Sequence, residues 1–411
     1  MEHATPARFL AAHEDTAAFS DSLPPQLPKV PRRGRAAQRL HQQLPPPHAG
    51  LLVSVIIPAK DEAAALPATI AVLAAQVDLQ GQPLPFSSFE IIVLANNCTD
   101  ATVAVLQRLM QQVPQLVLHA AALTLPPAEA HVGRAQRLLM DEAGARLEAL
   151  GRPAGIIAST DADTVVAPTW LAAIQAEIRF GADAVGGRIL TKSTGRADCQ
   201  VRRYEVRDAA YRVLCARLED LIDPAPADPW PRHHQHFGAS LALTVRAYRR
   251  VGGLPAVRFL EDEALCQALR RHDLCLRHSP LVQVLTSARQ LGRVEVGLSW
   301  QLREWHHLSQ QQREPHVDSP AHLAALWQAR RELRACWLGG SSALCRGLAG
   351  QLVLAIVALR GQMLGAATFG ELWEWVRKHG GPIPQIPLSR ALHALPLLVR
   401  SHSGVPREVA A

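Results

Sequence analysis

Residues 51–59 read LLVSVIIPA, an almost unbroken apolar run, and further runs follow at 89–97 (FEIIVLANN), 115–121 (QLVLHAA) and 156–160. Such runs predict strands buried on both faces, as in a parallel sheet. Between them the apolar positions recur at helical spacing. Leu66, Ile70 and Leu73 share one face of a helix predicted over 61–75, and helices are also predicted over 100–112, from 133 to about 150, and over 168–180. Strands alternating with helices predict an α/β fold with a mostly parallel central sheet flanked by helices.

After Gly187 this periodicity weakens. Residues 196–219 read as a charged amphipathic helix, 223–231 (DPAPADPWP) as a loop, and 276–289 as a further strand. Phe259 to Glu263 open a helix whose inner face carries Leu265 and Leu269. Beyond Trp305 the chain reads as helical, without evident chemistry. Residues 1–50, rich in Pro, Arg, Gln and His, read as a disordered or loosely attached leader. The expected organisation is therefore a leader over 1–50, an α/β domain over 51–305 and a helical C-terminal extension over 306–411.

Polar residues gather where the apolar runs stop. Lys60-Asp61-Glu62, Asn96-Asn97 and Asp161-Ala162-Asp163 each follow a strand, and ligands of open α/β sheets bind beyond the carboxyl ends of the strands. In extended chain, side chains i and i+2 point the same way, so Asp161 and Asp163 can face one spot. Two converging carboxylates repel unless a cation joins them. Mg2+ is commonly held by one or two carboxylates plus substrate phosphates, so a nucleoside diphosphate is a natural partner. The plain alternative is a strand end with two solvated acids.

Composition narrows the field. The formal charge is +7 over 411 residues, yet only Lys29, Lys60, Lys192 and Lys378 are lysines. No basic run is interleaved with aromatics, so nucleic acid is not an expected partner. Seven cysteines without a CxxC pair argue against a zinc site or a disulfide framework and fit a reducing, cytoplasmic location. The longest apolar stretch, 347–359, is too short to span a bilayer; contact with a membrane surface is possible but not indicated.

Taken in order, VSVIIPAKDEAAAL, EIIVLANNCTDAT, VGRAQRLLMDEA, STDAD and FLEDEAL resemble the five signature regions of family 2 glycosyltransferases, firmly over 53–262 and more weakly to 305. The resemblance implies a GT-A fold. It also implies an inverting, metal-dependent transfer of one sugar from a nucleoside-diphosphate sugar donor to a hydroxyl acceptor. By the same resemblance Pro58, Ala59 and Glu62 line the nucleotide, and Asn96 stands where the family has an Asp that binds the base. Gly133-Arg134-Ala135 resembles a diphosphate-side segment, with Arg134 or Arg137 as the cation. Asp163 would ligate Mn2+ or Mg2+, and Asp161 would reach the ribose or the metal. Asp262 would be the general base, with Glu261 and His236 on the acceptor side and Ser287, Arg289 and Arg293 near the diphosphate.

Three departures matter. Asp61 replaces the family's Asn, Asn96 replaces its Asp, and Gln301-Leu302-Arg303-Glu304-Trp305 breaks the Gln-x-x-Arg-Trp spacing of processive members. A single transfer is expected, with the base left open. Two rivals remain. Asp161-Ala162-Asp163-Thr164-Val165 also resembles the nucleophile motif of haloacid-dehalogenase-type phosphatases, with Asp161 as nucleophile. The domain could instead bind a sugar nucleotide without turnover.

Overall fold

The computed structural model describes residues 34–191, 199–257, 259–287, 297–339 and 345–403. Arg289, Arg293 and the first 33 residues of the expected leader lie outside the described residues.

Eight strands form the central sheet: β1 (Val53–Ala59), β2 (Phe89–Asn96), β3 (Leu118–Leu123), β4 (Ile156–Ser159), β5 (Val165–Val166), β6 (Ala184–Thr191), β7 (Leu241–Thr244) and β8 (Leu276–Thr286). Their order is β3-β2-β1-β4-β7-β6-β8-β5. The first four run parallel, as do β6 and β8, while β7 is antiparallel to β4 and β6. Ala59 pairs with Ala95, and Ile56 with Ser159. The polar ends of β1, β2 and β4 therefore leave the sheet along one edge.

Alternation divides the strand residues between two cores. Ile56, Ile92, Leu94 and Ile157 pack on one side with the helices Val132–Ala149, Val245–Arg250 and Glu261–Arg271. Val55, Ile57, Ile91, Val93 and Ala158 pack on the other with Leu66–Ala74, Thr102–Gln112 and Trp170–Arg179. Burying one such side chain fully contributes about 1.5–3 kcal/mol, and both faces of the central strands gain it.

The structure differs from the sequence reading at several elements. The first helix begins at Leu66 rather than at residue 61, with Pro67 in its first turn, where a missing N–H costs no hydrogen bond. Strand β6 was hidden by Gly186-Gly187, since glycine weakens strand propensity. Both glycines are required by a crossing segment. A Cβ on Gly186 would lie 2.5 Å from the Gln235 carbonyl, and one on Gly187 2.1 Å from Ser240 Oγ.

Part of the expected leader is ordered against the domain. Arg35–Gln42 is a helix, and Leu40 and Leu44 enter the core. That i, i+4 pair is an apolar stripe that bulk composition conceals. Gln43 also closes the edge of β3, its amide accepting from Ala122 N at 3.0 Å, which blunts an exposed strand edge.

The C-terminal helices Leu298–Gln310, Pro320–Gly339 and Leu388–His402 pack around Cys199–Ile222. Phe369–His379 docks on the α/β domain, its first N–H groups donating to Asp273 from Phe369 at 2.9 Å and Gly370 at 2.8 Å. Two short strands, β9 (His316–Asp318) and β10 (Gln385–Pro387), pair antiparallel. Among the described residues no helix is long and apolar enough to cross a membrane.

Candidate active site

A cleft of about 1840 Å³ opens over the carboxyl ends of β1, β2 and β4. Pro58, Ala59 and Glu62 line it from β1 and its following loop, Asn96 from the end of β2, Arg134 from the Val132–Ala149 helix, and Asp161 and Asp163 from the loop after β4. Glu261 and Asp262 line it from the start of the Glu261–Arg271 helix, His236 from the segment before β7, and Ser287 from the end of β8. Lys60 and Arg137 also line the cleft, whereas Asp61 and Asn97 of the same polar strand ends do not.

The loops after β1 and β2 hold each other. Asp61, in left-handed backbone with φ 54°, accepts hydrogen bonds from Thr99 N at 2.6 Å, Thr99 Oγ1 at 3.2 Å and Asp100 N at 3.2 Å. The Thr99 N–H holds its carboxyl below the usual range. Asp100 in turn accepts from Ala63 N at 3.1 Å. Asp61, Cys98 and Asp100 each place a ligand atom within 4.8 Å of the others. Burial pushes the Cys98 thiol up, and the hydrogen bonds of Asp61 and Asp100 clamp the two loops together. Both the N–H and the hydroxyl of Thr99 are engaged in that clamp. Asn96 is buried, and its Oδ1 has no hydrogen-bond partner.

His131 caps the Val132–Ala149 helix by accepting from Arg134 N at 3.3 Å. Arg134 pairs with Glu129 at 2.9 Å, and Arg137 donates to Leu254 O at 2.7 Å. Both expected diphosphate cations therefore already have partners on the protein. Gly133 is needed here: its Cβ would lie 3.3 Å from the Glu261 carboxyl carbon.

Three consecutive acids open the Glu261–Arg271 helix, each in a different environment. Leu260 precedes them in left-handed backbone, φ 57°, a conformation costly for a branched residue and common at functional sites. Glu261 is buried, and burial with the neighbouring Asp262 charge pushes its pKa up to about 7. Burial also raises Asp262, against the pull of two backbone N–H groups. Gly238 N donates to its Oδ2 at 2.9 Å and Glu263 N to its Oδ1 at 2.7 Å. For Glu263 burial is outweighed by His236, 2.6 Å away, which holds it down at about 2. His236 has both ring nitrogens engaged, the other with His278 at 3.1 Å. His236 thus lines the cleft with both ring nitrogens already engaged by the protein. Buried histidines are routinely held in this way.

Residues 54–225 match a family model described as Glycosyl transferase family 2. This stretch is a family 2 glycosyltransferase domain. The match runs through Asp161–Val165, which decides against the phosphatase alternative. The chain is similar to the solved mannosyltransferase PcManGT from Pyrobaculum calidifontis in complex with GDP-Man and Mn2+, at 18% identity over 88% of this chain and 92% of that one, with a TM-score of 0.43. It is also similar to S. aureus TarS 1–349 in complex with UDP-GlcNAc, at 12% identity over 85% and 91%, with a TM-score of 0.41. No curated protein matches the chain.

Sequence reasoning missed the groups behind Asp262. Glu263 stood inside the noted acidic triplet, but Asp228, His278 and the Gly238 N–H carried no local signal.

Proposed function

We propose that this protein is an inverting, metal-dependent glycosyltransferase that moves one sugar from a nucleoside-diphosphate sugar to a hydroxyl acceptor. The observation that supports this reading is that Asp161, Asp163 and Asp262 all line a single cleft.

Two carboxylates at the cleft wall are hard oxygen donors and fit Mn2+ or Mg2+; Asp163 and Asp161 would hold it. A bound ion supplies Lewis-acid neutralisation of the departing diphosphate. Asn96 Oδ1, buried without a partner, is suited to accept an N–H from the edge of a base, such as the imide of uracil or guanine. Pro58, Ala59 and Glu62 flank that position.

Asp262 is fixed by one N–H on each carboxylate oxygen, and each oxygen keeps a further lone pair. Its raised pKa suits a general base. It takes the proton of the acceptor hydroxyl while that oxygen bonds to the anomeric carbon and the bond to the diphosphate oxygen breaks. Displacement from the opposite face inverts the configuration. The ordinary reach of this base is a rate effect of about 10²–10⁴-fold.

The test is a thermal-shift panel of nucleoside diphosphates and their sugars, with and without Mn2+, on wild type, Asp163→Ala and Asp262→Asn. Metal-dependent stabilisation by one diphosphate is expected for wild type and Asp262→Asn and is weakened in Asp163→Ala. Loss of transfer in Asp262→Asn completes the pattern. Sustained turnover in that variant would refute the base assignment.

A further inference from the structure

Behind Asp262 lies a row of four buried titratable side chains. Glu263 Oε2 meets His236 Nε2 at 2.6 Å, His236 Nδ1 meets His278 Nε2 at 3.1 Å, and His278 Nδ1 meets Asp228 Oδ2 at 2.7 Å. The row begins one residue from Asp262 and ends in the loop after the Cys199–Ile222 helix. Asp228 is also anchored by His278 N at 2.8 Å, by Arg277 at 3.1 Å and by Arg232 at 3.4 Å. At the other end, Gln267 donates to Glu263 at 3.1 Å and Arg270 lies 3.7 Å away. The His233 ring stands edge-on to His278, with centroids 5.8 Å apart.

Counting protons constrains the row. Each of the three links needs one proton between its two heavy atoms. A neutral imidazole supplies one, so two neutral histidines and two carboxylates leave one link without a proton. A buried link of two bare acceptors is repulsive and costly. The row is satisfied only when it holds a third proton, with a net charge of −1 rather than −2.

The link nearest the site has a particular position. His236 lies two residues before Gly238, whose N–H holds Asp262 Oδ2, and Glu263 supplies the N–H on Asp262 Oδ1. We propose that His236 and Glu263 are positioning residues for the base: the third proton of the Asp228–His278–His236–Glu263 row ties together the two segments whose N–H groups orient Asp262. The assignment of Asp262 as base rests on the transferase reading; the proton count does not.

The test is a pH titration of the full chain labelled with ¹⁵N in its histidine rings, where nitrogen shifts report which ring nitrogens are protonated. No donor or acceptor is required. Burial disfavours charge on both rings, while the three links require one shared proton; in wild type both rings therefore shift together in a single step as that proton leaves. Glu263→Gln provides that proton permanently from its amide, so the coupled step disappears. Independent titration of the two rings, or an unchanged coupled step in Glu263→Gln, overturns the shared proton. Hydrolysis of uridine and guanosine diphosphate sugars with Mn2+ tests the positioning. Glu263→Ala lowers kcat by about 10–100-fold, the scale of a small misplacement, with donor KM held, and Glu263→Gln recovers most of that loss. Full kcat in a folded Glu263→Ala protein overturns the positioning role. If wild type turns over no sugar nucleotide, the transferase reading has failed, and the ring titration still decides the proton.

Discussion

The Val132–Ala149 helix, whose first turn lines the cleft, is held at its far end by a charge pair inside the protein, and the pair can be removed cleanly. Glu90, on β2, is 0% exposed and Arg146, on the Val132–Ala149 helix, 2% exposed. Arg146 Nε donates to Glu90 Oε1 at 2.9 Å and Nη2 to Oε2 at 2.6 Å, while Nη1 donates to Pro45 O at 2.7 Å. Ser54 Oγ donates to the same carboxylate, and His119 lies 3.4 Å from it. Burial works to raise the Glu90 pKa, but these donors win and hold it at about 2 against an ordinary 4.5.

At about 1.4 kcal/mol per pKa unit, that depression corresponds to about 3 kcal/mol of stability at pH 7. The sign follows from linkage: the folded pKa is lowered, so the contribution is present above 4.5 and lost as pH falls toward 2. Glu90→Gln should therefore cost about 3–5 kcal/mol at neutral pH, because it leaves a buried guanidinium without its anion. Urea unfolding followed by tryptophan fluorescence at a series of pH values measures it. The gap between wild type and variant should shrink below pH 4.5. Glu90→Leu combined with Arg146→Met should recover most of the loss, since an apolar pair of similar volume escapes the desolvation penalty. A cost under about 1 kcal/mol at pH 7, or a gap that does not narrow in acid, would refute the reasoning.

Glu261 has the opposite sign. Its pKa is raised from 4.5 to about 7, so the stability it contributes below pH 4.5 is lost as pH rises through 7. Glu261→Gln should raise the stability at pH 8 by roughly 3 kcal/mol and leave it unchanged at pH 4, read from melting temperatures across that range. Gly187→Ala should destabilise by about 1–3 kcal/mol, because the added methyl meets Ser240 Oγ at 2.1 Å and Val282 Cγ1 at 2.9 Å; a urea midpoint equal to wild type would contradict the packing described. Asp61→Ala should release the loop after β2 and reduce diphosphate-induced thermal stabilisation several-fold in affinity, while far-UV circular dichroism stays unchanged.

How much of this was legible follows from where the determining contacts lie. Strands β1, β2 and β4 announce themselves because burial on both faces demands continuous apolar sequence. Asp161, Asp163 and Asn96 announce themselves because polar residues at the ends of such strands stand out locally. Strand β5 has two residues and β6 carries a glycine pair, so neither has a period to read. The row behind Asp262 was invisible for a different reason. His278 lies 42 residues from His236 and 50 from Asp228, and its own stretch, LRHSPLVQV, reads as ordinary strand.

The three acids at 261–263 give the reason why a motif can name a site without assigning its roles. In sequence they are one acidic run at a helix start, where the macrodipole favours negative charge. In the fold, Glu263 is spent on His236, and Glu261 is pressed against Gly133, where its proton is held to about pH 7. Asp262 is left facing the cleft with one N–H on each oxygen. Only that carboxylate combines access, fixed orientation and a raised pKa, and each property comes from a residue distant in sequence or from the backbone. The helix start makes three acids tolerable there; the surrounding groups single out one of them, the carboxylate proposed as the base.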